Sequence, residues 1–500
     1  MPEKPTSNTI QAFWVGMGSL SSFALAIVSA AILSRYFDKT EYGTYRQILY
    51  VYGTLHTIFA AGLPKVFSYY LPRYDLAQGK DIVKKIGRLL LGMGFLFSLT
   101  LFCFSGVIAV ILKNPELSVG LKWFSPIPML LLPTLGIEGI FSSYKKALYI
   151  AIYHTTSRLI MLLFIVIPVV LFNGTYIHAI YGWLIVSVLT LIFANYFKGI
   201  PFVGIAAQKV ELTYKEVFSY SIPILIASIA GIAITSADQF FISRYFGAEV
   251  FAEYANGFIQ IPFVVMITAA TSTVLSPEFS RLFHENDNTS KIVELWRSAL
   301  VKSAILIYPL VIFFIVYANQ IMILLFSSMY ESSVIYFRIA MFLNFFNIII
   351  FAPLMLASGK IRLYRNIHII IAILVWPIEY AVVLLFKSPV AVAFTSVLLS
   401  IIKILILTLY TSRIIKVNIF SLIPVKIIST IIIHSIIVIS FVKYFSDITL
   451  SQFAQLPVLV LVFVSFSFLL LVSARFFRLD YLMPLHPVYE MYLRKRKKVI

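Results

Sequence analysis

Long apolar runs, each about 20 residues or more and each closed by charged or turn-forming residues, occupy this chain from end to end. A helix needs about 20 apolar residues to cross the hydrocarbon core of a bilayer. Six runs of that kind fall in the first half, at 11–34, 46–71, 89–112, 122–143, 148–172 and 177–198. Eight more follow at 217–243, 254–276, 298–318, 333–357, 366–387, 389–409, 422–446 and 455–477. The pattern predicts an all-α integral membrane protein with about 14 transmembrane helices. It excludes an outer-membrane barrel, whose strands alternate apolar and polar residues over about 10 positions.

Composition narrows the reading further. Of 500 residues, 60% are hydrophobic and only 12% charged, so no room remains for a large soluble catalytic domain. The net charge of +19 would suggest nucleic acid in a soluble protein. Here the 40 Lys and Arg sort by loop: about 28 fall on one side, nine on the other, and Lys65, Arg158 and Lys403 lie within spans. Basic residues concentrate in cytoplasmic loops, so both termini are expected in the cytoplasm. The charge then reads as a topology signal and an attraction to anionic membrane lipids, with no nucleic acid as partner. The last stretch, 475–500, alternates Tyr, Leu and Met with basic residues and suits either an interfacial segment or a solvated basic tail. Cys103 is the single cysteine, which rules out an intrachain disulfide and a Cys-based metal cage. The first apolar run is too long for the core of a signal peptide, so the first helix is expected to be kept.

The chain also repeats itself at an offset of 209. ILSRYFDKTEYGTY in the first half answers to FISRYFGAEVFAEY in the second, setting Arg244 on Arg35 and Tyr254 on Tyr45. Pro168 falls on Pro377 at the same offset. Six helices, an even number, make each half, so both halves enter the membrane from one side and are parallel rather than inverted. The expected organisation is a six-helix lobe at 1–205, a second at 206–412, and two extra helices with a basic cytoplasmic tail at 413–500.

AILSRYF at the end of the first helix, EYG at 41–43, GLPKVFSYYLPR at 62–73 and ADQFFISRYFGAEVFAEYANGF at 237–258 together resemble the polysaccharide flippases. These belong to the multidrug/oligosaccharidyl-lipid/polysaccharide exporter superfamily, and the resemblance covers roughly residues 10–480. It implies transport of an undecaprenyl-diphosphate-linked oligosaccharide, such as an O-antigen, capsule or exopolysaccharide repeat unit, across the bacterial inner membrane by alternating access. It also suggests contacts with polysaccharide assembly proteins, with a monomer favoured. A diphosphate headgroup asks for cations along its path.

Ionisable side chains at span depth are the natural candidates for that role, unless they snorkel to an interface. Arg158 lies about ten residues, or roughly 15 Å, into the fifth span. It follows the polar turn His154–Ser157 and suits a wet cavity, with an ion pair to Glu138 as the structural alternative. Lys65 stands beside Gly62 and Pro64, where a bend would let its stem emerge or snorkel. Arg338 sits near the outer start of the tenth span and Arg46 near that of the second. His56 is deep in the second span and would either meet a headgroup or satisfy a carbonyl.

Asp238, Glu379 and Thr395 form a second constellation at matching depths in spans 7, 11 and 12. Two carboxylates with a hydroxyl suit a hard monovalent cation, or one carboxylate carries a proton. The resemblance supports a cation site there, since related sodium-coupled flippases place one on these three helices. Asp238 has a bland alternative in an ion pair with Arg244. No cofactor is expected beyond Na+ or H+ as coupling ion, no metal beyond Na+, and without a P-loop no direct ATP drive.

Three rivals share parts of this pattern. A multidrug or cation antiporter of the same superfamily would have an acidic or neutral cavity rather than a basic one. A lipid II flippase would carry an IFAEG-like segment, here IFAAG at 58–62, but preceded by arginines where this chain has His56 and Thr57. A membrane polysaccharide polymerase or ligase would need a large external loop. The longest expected here, 319–332, has neither His nor Arg.

Overall fold

A computed structural model describes residues 8–284, 289–449 and 455–483. The basic cluster at 494–498 therefore lies outside the described residues. Among them every regular element is helical, and twelve helical stretches are long and apolar enough to cross a membrane, from Trp14–Tyr36 to Gln455–Phe477. The chain is a multi-pass membrane protein. Its outward surfaces are lined with bulky apolar side chains such as Phe102, Val110, Ile373 and Leu385, which suits hydrocarbon as solvent.

Spans 2 and 10 are broken helices rather than the continuous ones expected. Span 2 runs Lys39–Ala60, turns through Ala61 and Gly62 in the left-handed region, and resumes as Leu63–Tyr70. The Gly62–Pro64 bend is the cause, since glycine accepts the positive φ and proline starts the next helix. Span 10 is split into Ser333–Leu343 and Ala352–Ala357, where Asn344 and Asn347 end the first piece and Pro353 opens the second. Span 7 ends at Thr235, and Ala237–Gly257 follows as a separate helix interrupted at Gly247. The stretch 319–332, expected as a loop, is largely the helix Ala318–Phe326, because its apolar IMILLF core prefers a helical turn to water.

The helices pack into two compact units. One comprises the chain to Ala255 together with Ile371–Val392; the other comprises Asn256–Ile370 and the chain from Ala393 onward. This division follows packing, whereas the 209-residue repeat follows sequence order.

In the first unit, Trp14–Tyr36 lies along Ala147–Phe172, which in turn packs on Tyr176–Phe202. Gly182 makes the second contact feasible: a Cβ there would stand 2.1 Å from the carbonyl oxygen of Phe164. Small residues at such crossings let helices approach closely where no hydrophobic effect drives them together. The fourth span, Glu116–Ser143, is the most interrupted, with Pro126, Pro128 and Pro133 and a turn at Gly136 (φ 94°). Backbone freed in this way is tolerated at membrane depth only where protein or a wet cavity receives it.

In the second unit, Thr289–Val316, Val425–Ile448 and Gln455–Phe477 share a core that includes Phe313, Val438, Ile439 and Phe466. His434 is fully buried there. Its ring nitrogens lie 2.9 Å from the Tyr481 hydroxyl and 2.8 Å from that of Ser473, which ties the segment after the last span back to the bundle.

Candidate functional site

The interrupted fourth span opens a cavity of about 650 Å³ inside the first unit, within the range usual for ligand pockets. Span 2 supplies Tyr52, His56 and, just past its bend, Lys65; the fourth span supplies Thr134 and Glu138. Helix Ala147–Phe172 contributes Tyr153, His154, Ser157 and Arg158, one turn apart along a single face, and Trp183 closes the wall. Arg158, Lys65 and His56 are thereby brought together.

Arg158 has no ion pair among the described residues. Its Nη1 donates to the Met161 thioether at 3.7 Å. Glu138 lines the same cavity without pairing to it, so the structural alternative for Arg158 is not formed. The Ser157 hydroxyl and His154 Nε2 are also buried with no hydrogen-bond partner among the described residues. A cavity wall with an unpaired guanidinium and unsatisfied polar atoms is shaped for a polar, anionic guest, because burying such groups without partners is costly.

A second chamber of about 260 Å³ adjoins the first through Tyr52, Arg158, Met161 and Trp183, which line both. Its remaining wall is largely apolar, and it contains Arg46. Arg46 Nη2 donates to the Ala255 carbonyl at 2.9 Å, and its guanidinium lies 5.9 Å from the Tyr42 ring centroid. Trp183 Nε1 donates to the Tyr45 hydroxyl at 2.8 Å and so fixes the partition between the chambers.

Arg338 is elsewhere. It belongs to the second unit, is exposed, and donates from Nε to the Ile315 carbonyl at 3.3 Å. Thr395 also belongs to the second unit.

Asp238 and Glu379 both fall in the first unit and interact electrostatically. Both are buried. The Tyr254 hydroxyl donates to Asp238 Oδ2 at 2.7 Å. Neither Glu379 carboxylate oxygen has a hydrogen-bond partner among the described residues. Trp376, three residues earlier, is anchored by its Nε1 to the Ala233 carbonyl at 3.0 Å. The Glu379 carboxylate, a pair of hard oxygens buried without hydrogen-bond partners among the described residues, suits a monovalent cation or a proton. Arg244 turns to the Ile111 carbonyl.

Sequence reasoning passed over Tyr52, Tyr153 and Trp183 in the cavity, and it read Tyr254 as a repeat position rather than as the partner of Asp238. With 44 Phe, 29 Tyr and 5 Trp in the chain, aromaticity alone selects none of them. The repeat carried a usable signal that becomes clear beside the structure. At the 209 offset, Arg46, His56, Lys65 and Arg158 meet Ala255, Val265, Val274 and Ile367, while Asp238 and Glu379 meet Ser29 and Val170. Among these six the cations fall in the first repeat and the acids in the second, although Glu138 of the cavity wall also belongs to the first and Arg338 to the second. Residues without a like counterpart are those that symmetry of fold does not require.

Residues 10–283 match the family model described as "Polysaccharide biosynthesis protein". No curated protein sequence matches the chain significantly. Among solved structures the chain is similar to the lipid II flippase MurJ in an inward closed conformation, at 14% identity and TM-score 0.66, covering 93% of this chain and 99% of that one. It is similar to a mutant of the Vibrio cholerae MATE transporter VcmN at 14% identity and TM-score 0.57, covering 82% and 97%. A MOP superfamily transporter from Pyrococcus furiosus gives 13% identity and TM-score 0.57, covering 81% and 95%. At these identities the likeness shows the fold alone, which this chain shares with those proteins.

Proposed function

Because the chain belongs to the polysaccharide biosynthesis protein family, we propose that it flips an undecaprenyl-diphosphate-linked oligosaccharide across the bacterial inner membrane. The substrate would be an O-antigen, capsule or exopolysaccharide repeat unit. Its polar head cannot cross hydrocarbon unaided, whereas its polyprenyl tail can stay in lipid, so the protein need only shelter the head. Alternating access provides that shelter on each side in turn, with N- and C-termini in the cytoplasm. The observation that carries this reading is Arg158, a cation at span depth without an ion pair, facing a 650 Å³ cavity together with Lys65. A drug-cation antiporter would present the opposite charge to its substrate.

The structural likeness to a lipid II flippase favours a second reading, in which the same cavity takes another undecaprenyl-diphosphate sugar. Both readings make the same demand on Arg158 and differ in the glycan. Asp238 and Glu379 would couple the cycle to Na+ or H+.

Headgroup translocation in proteoliposomes tests the proposal. The wild type should move a labelled oligosaccharide on undecaprenyl diphosphate, and Arg158→Ala should lose at least about 10-fold in rate while keeping its fold. Faster transport of lipid II would favour the second reading. Exchange of small organic cations with no movement of lipid-linked sugar would sink both.

A further inference from the structure

The 260 Å³ chamber has no part in the cavity reading given above, yet it shares Arg158 with that cavity and adds Arg46. We propose that it is a second anion subsite, beyond the first on the outward path, in which Arg158 and Arg46 hold the diphosphate from two sides. This rests on the flippase reading.

Three observations converge. Arg158 lines both chambers, so an anion bound to it can pass between them without losing its principal cation. Arg46 stands six residues before Tyr52, the other shared wall residue on span 2, which is about 9 Å of helix rise. A diphosphate held by Arg158 and drawn toward Arg46 would therefore shift along the span rather than across it. The chamber also holds two guanidinium groups with no acidic side chain in its wall. Like charges in a largely apolar enclosure repel strongly, and an anion with two or more negative charges between them relieves this.

Arg46 has a second attachment. Its hydrogen bond to the Ala255 carbonyl joins the contact between segments 39–47 and 243–255. That contact also contains the Lys39–Glu253 ion pair at 2.6 Å and the Gln47–Ser243 hydrogen bond at 2.8 Å. An anion in the chamber competes with Ala255 for the Arg46 donors, since a charged acceptor makes the stronger bond. Arrival of the headgroup would thus loosen the contact at the end of the span through which it must leave.

Two assays on the full-length protein separate this inference from the reading beneath it. The first measures inorganic pyrophosphate binding to the wild type and Arg158→Gln. Wild-type binding weakened about 10-fold or more by Arg158→Gln is the expected result. If the wild type neither binds pyrophosphate nor flips the lipid-linked sugar, the flippase reading itself fails and the subsite fails with it.

The second assay measures flipping by Arg46→Gln, Arg46→Lys and Lys39→Gln. Arg46→Gln should slow flipping about 10-fold or more, and Arg46→Lys, which keeps the charge but loses the planar fork, should be slowed measurably less than Arg46→Gln. Lys39→Gln loosens the same contact without entering the chamber and should not reproduce the Arg46→Gln defect. Wild-type flipping by Arg46→Gln, or an equal defect in Lys39→Gln, would overturn the subsite while leaving the first cavity intact.

Discussion

Arg46 donates a 2.9 Å hydrogen bond to the main-chain carbonyl of Ala255, the residue 209 positions later and its own counterpart in the internal repeat. Thr40 Oγ1 donates to the side-chain carboxylate of its own counterpart, Glu249, at 2.9 Å. These two pairs keep the same order along both segments, whereas Lys39–Glu253 and Gln47–Ser243 run in the opposite order, so the segments cross at this contact. Contact between a residue and its own counterpart places both segments beside the axis that relates the two repeats.

Gly43 makes that approach feasible. A Cβ at this position would lie 2.0 Å from the Ala248 carbonyl oxygen and 2.4 Å from its carbon, and backbone on both sides leaves little to yield. Gly43→Ala should destabilise the protein by about 1–3 kcal/mol through forced separation of the segments. Gly231→Ala is the control: its added methyl meets nothing within 4 Å, and alanine favours a helix by up to about 1 kcal/mol. Thermal unfolding of both variants in one detergent checks this, and equal midpoints would refute it.

The Lys39–Glu253 pair is 2.6 Å long, with 27% and 15% of its side chains exposed. A pair of this kind contributes up to about 1 kcal/mol. Lys39→Glu sets two carboxylates together and should lower the unfolding midpoint, while Lys39→Glu with Glu253→Lys should recover most of the loss. A double variant no better than the single one would mean that the charges do not interact.

Arg158 allows a sharper test, because structural and functional roles predict opposite signs. A buried cation with an ion partner destabilises the fold when that partner is left behind, by about 3–5 kcal/mol. Arg158 has no such partner among the described residues, so Arg158→Met should leave the unfolding midpoint unchanged or raise it, while headgroup transport collapses. Stability gained where function is lost is the mark of a group kept for its ligand. A fall in both together would instead assign Arg158 to the fold.

Much of the fold was legible because a bilayer imposes one requirement, about 20 apolar residues, which the sequence meets again and again. Continuity of the helices was less so. The bend at Gly62–Pro64 announces itself, but the break at Ser236 carries no proline, and Gly247 resembles any other small residue. The repeat explains Gly247: its counterpart is Asp38, whose carboxylate caps the helix that follows by accepting from the Glu41 amide. One half opens the following helix with a capping side chain, the other with a positive φ, and only the alignment of the two makes the second visible. In the cavity, Arg158, His56 and Lys65 could be read because charge at depth is expensive. Tyr52 and Trp183 could not, since aromatic residues serve every interface in such a chain.

Glu379 offers the last test. Both carboxylate oxygens are buried without hydrogen-bond partners among the described residues, and Asp238 adds a second carboxylate to the same neighbourhood. Such an arrangement is costly unless a cation or a proton balances it for part of the cycle. Glu379→Gln keeps shape and volume while removing the charge, so the unfolding midpoint should hold or rise. Transport should lose its dependence on an imposed sodium or proton gradient and keep only the downhill component. Asp238→Asn is expected to be the more damaging of the two for the fold, because it weakens the acceptor of the Tyr254 hydroxyl, a buried bond to a charged group whose loss costs about 1.5–3 kcal/mol. Measuring transport under sodium and proton gradients separately, with both variants, distinguishes the ions. If Glu379→Gln responds to each gradient as the wild type does, the carboxylate pair is not where coupling occurs.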